Sequence, residues 1–399
     1  MKKINFSQLV EILKERRKKN EKIEDEVRNI IKRIKKEKDK GVLYYTEKFD
    51  KVKITQIKVE KEEIKKCFKK IDKDVIEAIK RSSEKIEKYH KKQLPGGFIL
   101  KEDSYKIIFK FSPVESTGIY IPGGQSPLIS TILMSTIPAK VAGVKNIHIA
   151  TPPSKNIDLI LGVCYFLGIE NIYRVGGAQA IASFAYGTET IPEVDVIAGP
   201  GNKYVNTCKK IISGDKRIDL PAGPSEVVIF SDSSGNKKFI EYDFKAQMEH
   251  TDGFGLFITT DEKIGKEISK KVVKNGYYII VKSQEEALKI INSVCPEHLQ
   301  IISKTPSFLV ENSIAGAIFV GDYTPAVVGD YFVGPSHILP TNQSAKSFSG
   351  LSVYNFLRSY AIIEVKKNFY KKYGKYIERI AEIEGLKNHS YTIKIREKY

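Results

Sequence analysis

The stretch NIHIATPPSKNIDLILGVCYFLGIENIYRVGGAQAIASFAYGTETIPEVDVIAGPGNKYVNTCKKIIS, residues 146–213, decides the fold. Its apolar runs at 146–150, 171–175 and 194–199 are short, rich in Ile and Val, and closely followed by Pro or Gly, which reads as buried strands. The segments 156–168, 178–185 and 202–213 read as helices between and after them. Strand alternating with helix in this way predicts a parallel sheet with crossover connections. GVKNI (143–147) and GIENI (168–172) open two successive units with a similar pattern.

Working outward, 226–230, 255–260, 277–281, 299–303 and 317–321 are further strand candidates separated by helical stretches, which predicts a second α/β domain. Residues 104–112 read as a strand. Upstream, Ile23, Val27, Ile30, Ile31 and Ile34 recur at helical spacing in a highly charged segment, giving one apolar stripe. A second helical pattern runs from Glu60 toward His90, which reads as solvated. The tail from Val353 reads as helical. There Ile377, Ile380, Ala381 and Glu384 share a face, so a carboxylate sits on an otherwise apolar side.

A chain of 399 residues with 41% hydrophobic and 29% charged residues buries a sizeable core. It has no apolar run long enough to span a membrane and no secretory signal pattern at its start. Cys67, Cys164, Cys208 and Cys295 are far apart and form no CxxC pair, so neither a disulfide framework nor a zinc ribbon is expected and a cytoplasmic setting is. The formal net charge is +18, but its lysines are spread along amphipathic stretches without interleaved aromatics. That reads as a solvated surface that attracts anionic ligands, without a nucleic-acid partner.

No GxxxxGK[ST] and no complete GxGxxG occurs. Glycine loops at strand ends, 118–124, 175–179 and 199–202, still expose backbone N–H groups where open α/β sheets bind ligands. Among six histidines, His250 stands three residues after Gln247 on one predicted helical face, a spacing that permits chelation. Glu297-His298 pairs an acid with an imidazole suited to proton abstraction. Cys295 is a possible nucleophile that no neighbouring residue marks as activated. Asp330 and His337 lie in one glycine-rich loop. Glu384 and His389 flank Gly385, which is expected to end a helix and leave His389 on a loop. A Gln, two His and an Asp make a nitrogen and oxygen set that zinc accepts.

Taken together, GIYIPGG (118–124), VGGAQAIA (175–182), GPGNKYV (199–205), PAGPSEV (221–227), QMEH (247–250), PEHL (296–299), GDYFVGPSH (329–337) and EGLKNH (384–389) resemble the histidinol dehydrogenase family from about residue 110 to the end. The resemblance implies oxidation of L-histidinol through L-histidinaldehyde to L-histidine, the last steps of histidine biosynthesis, with two NAD+ reduced and one Zn2+ per subunit. It implies zinc ligands Gln247, His250, Asp330 and His389, and an acid/base pair Glu297 and His298. Substrate contacts would be Ser225, Gln247, His250, His298, Asp330, Glu384 and His389; NAD+ contacts would be Tyr120, Gln179 and Asn202. His337 would support the substrate side. It further implies an α/β fold of two incomplete Rossmann-like domains in a domain-swapped homodimer, whose C-terminal arm completes the partner's site. The expected division is an N-terminal helix (1–20) packing with the C-terminal region, a first Rossmann-like domain (21–117 with 228–351), a second, NAD-binding one (118–227), and a helical arm (352–399). Met248, Thr251, Ala326 and Ser336 depart from the family's pattern. A related dehydrogenase for another amino alcohol or a sulfonated alcohol, and a basic nucleic-acid binder built on an inactive dehydrogenase fold, are the alternatives.

Overall fold

The protein is described here by a computed structural model covering all residues except 19–20, 124–126, 222, 250–252, 273–275 and 399. The chain divides into two units, Met1–Gln93 with Val114–Phe356, and Leu94–Pro113 with Leu357–Tyr399.

The first unit holds two parallel sheets. In the five-stranded sheet the neighbours run Asn171–Arg174, Asn146–Thr151, Ser116–Tyr120, Val196–Ala198 and Arg217–Ile218. The expected strands at 146–150, 171–175 and 194–199 and the helices between them (Ile157–Phe166, Gly177–Tyr186, Lys203–Ile212) are all present. The chain starts at the middle strand, builds outward on one side, then returns to the other. The order therefore reverses between Ser116–Tyr120 and Val196–Ala198, the kind of place where open α/β sheets take ligands.

The six-stranded sheet repeats this path. Its neighbours run Lys2–Lys3, Gly276–Ile280, Phe254–Thr259, Glu226–Ser231, His298–Ile302 and Ala317–Val320. Glu226–Ser231 is buried along its whole length. Val228 and Phe230 pack on one face with the helices Phe6–Arg17 and Gln284–Val294; Val227 and Ile229 pack on the other with Lys237–Gln247 and Glu262–Lys271. This is the two-residue period of a strand covered on both sides.

The isoleucine stripe of the helix Glu21–Glu37 is buried as its spacing predicts. Residues 21–117, grouped above with 228–351, contribute this helix to a core shared with Gly177–Tyr186 and Lys203–Ile212, over the five-stranded sheet. His90, read as solvated, is fully buried, and its Nδ1 lies 2.7 Å from Gln93 Oε1.

In the second unit the tail is not helical throughout. Leu357–Val365 is a strand, antiparallel to Tyr105–Pro113, which also pairs with Phe98–Lys101. Tail periodicity could not show this, because the partner strand lies some 250 residues away in sequence. The helices Lys367–Ile383 and Lys387–Lys398 follow. Among the described residues, no helix is long and apolar enough to cross a membrane.

A buried ion pair fixes one turn of the five-stranded sheet. Lys209 and Asp219 have fully buried side chains and pair directly. Lys209 Nζ donates to the carbonyl of Gly199 at 2.9 Å, and Asp219 Oδ2 accepts from its N–H at 2.8 Å. The N–H and the carbonyl of Gly199 are thus both held while the residue sits at φ +108, where a Cβ would collide with the Tyr120 carbonyl. Lys209→Met should therefore cost about 3–5 kcal/mol in denaturant unfolding by stranding the Asp219 charge, and Lys209→Met with Asp219→Leu should recover much of that loss. Equal losses in the single and double variants would show that the pair does not hold the turn.

Candidate active site

A cavity of about 620 Å³ opens between the two sheets of the first unit. Pro122, Thr131 and Asn202 reach it beyond the carboxyl ends of the five-stranded sheet. Ser225, Glu297 and His298 reach it at the amino ends of strands in the six-stranded sheet. One sheet thus presents its carboxyl edge and the other its amino edge to a space of the size that holds a small ligand.

Glu297 and His298 are brought together by the end of a helix. Gln284–Val294 stops at Cys295, which adopts φ 44, and Pro296 leads directly to the strand His298–Ile302. The main chain of Glu226, on the neighbouring strand, engages both residues. Its N–H donates to Glu297 Oε2 at 2.9 Å, and its carbonyl lies 3.3 Å from His298 Nδ1. His298 Nε2 lies 3.1 Å from Asp330 Oδ1, and the imidazole stacks on Phe319. Both members of the pair are buried.

Burial alone would lower the pKa of His298. The Glu297 charge, aided by contacts with Asp330, overrides it and raises the value to about 10. Asp330 is shifted the opposite way: burial would raise it, but His298 and Gln247 hold it low. Burial chiefly pushes the His337 pKa down; its Nδ1 lies 2.8 Å from the Asp330 carbonyl and its Nε2 3.2 Å from Thr131 Oγ1. Cys295 is no activated nucleophile, because burial pushes its thiol up.

Of the expected metal ligands, the structure brings two together. Gln247 ends the helix Lys237–Gln247, and its Nε2 donates to Asp330 Oδ2 at 3.3 Å. An amide and a carboxylate meeting in a buried place offer the oxygen donors that a zinc site accepts. His250 lies outside the described residues. Glu384 and His389 belong to the second unit, where both are exposed. Gly385 ends a helix as expected, at φ +74, but His389 lies in the first turn of Lys387–Lys398 and not on a loop. Among the described residues, no group of three His, Cys, Asp or Glu side chains is placed to hold a metal.

Tyr120 ends a strand of the five-stranded sheet, Asn202 lies in the turn after another, and Gln179 lies in the first turn of the helix Gly177–Tyr186 that follows a third. Tyr120 accepts from the Gly177 N–H at 3.2 Å. Gln179 is buried, and neither amide atom has a hydrogen-bond partner. Asn202 caps the helix Lys203–Ile212, accepting from Tyr204 N at 2.9 Å and Val205 N at 3.1 Å. An orphaned buried amide beside a glycine turn suits a ligand rich in hydroxyl and amide groups, as a dinucleotide is.

Sequence reasoning missed Glu226 and Arg16. Glu226 is 1% exposed, and burial raises its carboxyl to about 7 against the opposing Arg16 charge. Arg16 Nη2 reaches Glu226 Oε1 at 3.2 Å, and its guanidinium lies over the Phe254 ring. The available signal was a carboxylate opening the otherwise apolar run 226–230.

The high pKa of His298 has a consequence for stability. In metal-free protein the folded state keeps this proton to about pH 10, whereas an unfolded imidazole loses it near 6.5. The stabilisation is complete below the lower value and is lost as pH rises through the upper one. Thermal melts of chelator-treated wild type and His298→Asn should converge between pH 6.5 and 10; a gap that stays constant would refute the coupling.

The histidinol dehydrogenase family model matches residues 13–397. The histidinol dehydrogenase of Clostridium acetobutylicum is 41% identical, over 97% of this chain and 95% of its own. That of Methanocaldococcus jannaschii is 41% identical, over 93% and 92%. The crystal structure of histidinol dehydrogenase from Elizabethkingia anophelis has a TM-score of 0.91 at 34% identity, covering 100% of this chain and 97% of that one. The chain belongs to the histidinol dehydrogenase family.

Proposed function

We propose that this protein is a histidinol dehydrogenase, oxidising L-histidinol through L-histidinaldehyde to L-histidine with two NAD+ as acceptors and one Zn2+ per subunit. The observation that carries the reading is the Glu297–Glu226–His298–Asp330 chain of contacts at the cavity. It sets an acid beside an imidazole and links that imidazole to a residue of the expected ligand set.

In the first half-reaction His298 Nε2 takes the hydroxyl proton while the carbinol hydride passes to NAD+. The Glu226 carbonyl and Glu297 orient the imidazole through Nδ1. His298 must be unprotonated to act as this base; its proton is held chiefly by Glu297 with help from Asp330, and a metal ion bound at Asp330 would oppose both charges. Bound zinc would anchor the substrate's imidazole and amino nitrogens through Gln247, His250, Asp330 and His389. In the second half, Glu297 removes a proton from water as it adds to the aldehyde. The resulting diol gives up a second hydride, and the product is a carboxylate. Over both halves one water is consumed, two hydrides leave to two NAD+, and three protons are released. Ser225 and Glu384 would contact substrate; Tyr120, Gln179 and Asn202 would contact the dinucleotide.

We read the two sheets, which share one strand path, as incomplete Rossmann-like halves, with 118–227 as the dinucleotide side. We also read the arm 352–399 as reaching a second subunit, so that Glu384 and His389 serve the partner's site. Exposed Ile380, Ile383, Leu386 and Tyr391 beside these two residues support that assignment.

Zinc-loaded protein mixed with L-histidinol and NAD+ should produce two NADH per histidinol, and a chelator should abolish this. Failure to produce NADH would move the substrate to another alcohol. His298→Asn should reduce turnover by roughly 10²- to 10⁴-fold with zinc content unchanged, whereas His389→Asn should lose zinc. Full activity in both variants would overturn the assigned roles.

A further inference from the structure

Asp50 carries an inference that rests on reading the five-stranded side of the cavity as a dinucleotide site. In sheets that bind dinucleotides, a glycine turn after the first strand receives the pyrophosphate, and a carboxylate further along the chain takes the ribose hydroxyls. The glycine turn has its counterpart in 118–123, yet residues 116–157 contain no Asp or Glu. The next acid, Asp158, is engaged at the surface by Lys70 at 2.8 Å. The sheet's own chain therefore brings no carboxylate to that place.

One arrives from the N-terminal helices instead. Asp50 is the last residue of the helix Asp39–Asp50. An ideal Cβ built on Gly176 would lie 2.7 Å from Pro152 Cβ and 3.4 Å from Asp50 Oδ1. Pro152 directly follows the strand Asn146–Thr151, so Asp50 stands at the carboxyl end of the second strand, beside the Gly176-Gly177 turn. Tyr120 meets the same turn through the Gly177 N–H, and Gln179 meets it where a Gly177 Cβ would lie 2.7 Å from its Oε1. Asp50 Oδ2 is buried without a hydrogen-bond partner, as are both amide atoms of Gln179. Burial raises the Asp50 carboxyl to about 6. A buried carboxylate oxygen without a donor is costly, and a ligand's hydroxyls would remove that cost.

We propose that Asp50 accepts the 2′- and 3′-hydroxyls of the cofactor's ribose and thereby selects NAD+ over NADP+. A 2′-phosphate would replace a hydrogen-bond donor with negative charge beside a carboxylate, so the residue that binds one cofactor rejects the other.

The test measures NADH and NADPH binding by cofactor fluorescence on the full-length protein, and kcat and KM for NAD+ and NADP+ with L-histidinol. Wild type is expected to bind NADH well and NADPH poorly. Asp50→Ala should weaken NADH binding and raise the NAD+ KM by about 10- to 100-fold with little change in kcat, and the preference over the phosphorylated form should collapse. Asp50→Asn keeps an acceptor without the charge, so it should retain much of the NADH affinity while admitting NADPH. Binding needs no turnover, so a wild-type protein that binds NADH selectively but does not oxidise histidinol would fail the functional reading and leave Asp50 standing. An unchanged NADH to NADPH ratio in both variants, with unaltered melting temperatures, would overturn the proposal, and so would a wild type that binds neither.

Discussion

The main chain of Glu226 is the point on which the site depends. One peptide N–H fixes the carboxylate of Glu297, and the carbonyl of the same residue faces His298 Nδ1. Because main-chain atoms do this, the position of the strand governs the pair. That position is set by the parallel ladder joining Val227 to His298 and Phe254 to Glu226. It is also set by the buried side chain of Glu226, which accepts from Arg16 and from the Asn342 N–H, each at 3.2 Å. A carboxylate this deeply buried needs such partners to remain in place. The N-terminal helix is thus mechanically part of the site, although Arg16 and Glu226 are 210 positions apart.

The opposed edges of the two sheets explain the division of labour around the cavity. At the carboxyl edge, glycine turns lead into helix N-termini whose N–H groups suit an anionic, hydroxyl-rich ligand. At the amino edge, the first residue of a buried strand still has an N–H to offer a side chain. Glu226 uses it to hold Glu297. In the proposed function, cofactor recognition and proton handling would therefore fall to different sheets, each using the edge chemically suited to it.

Much of this was legible in the sequence. The Ile- and Val-rich runs located three strands of the five-stranded sheet and five of the six-stranded one, because strands covered on both faces need continuous apolar residues; Ser116–Tyr120, read as part of a glycine loop, and the short edge strands Lys2–Lys3 and Arg217–Ile218 were not located. The isoleucine stripe located the helix Glu21–Glu37. Gln247, Glu297, His298 and Asp330 were singled out, and the structure brings all four together. What stayed hidden depends on partners distant in the chain. Leu357–Val365 looked like more of a helical tail because its strand partner is elsewhere. Lys209 sits on the apolar stripe of its helix with Val205, Cys208 and Ile212, a visible anomaly whose resolution, Asp219, no local pattern supplies. Asp50 looked like one more charge on a charged segment until folding placed it against Gly176.

The clamp on Gly199 also separates two effects that are often confounded when ionic strength varies. The excess positive charge of +18 is carried largely by solvent-exposed lysines, whose attraction for an anionic cofactor fades once the Debye length shrinks to about 10 Å or less. Lys209 and Asp219 lie beyond the reach of counter-ions, so the turn they hold keeps its shape in brine as in dilute buffer. If the proposed cofactor binds beside this turn, added salt would slow its approach and leave its seat intact.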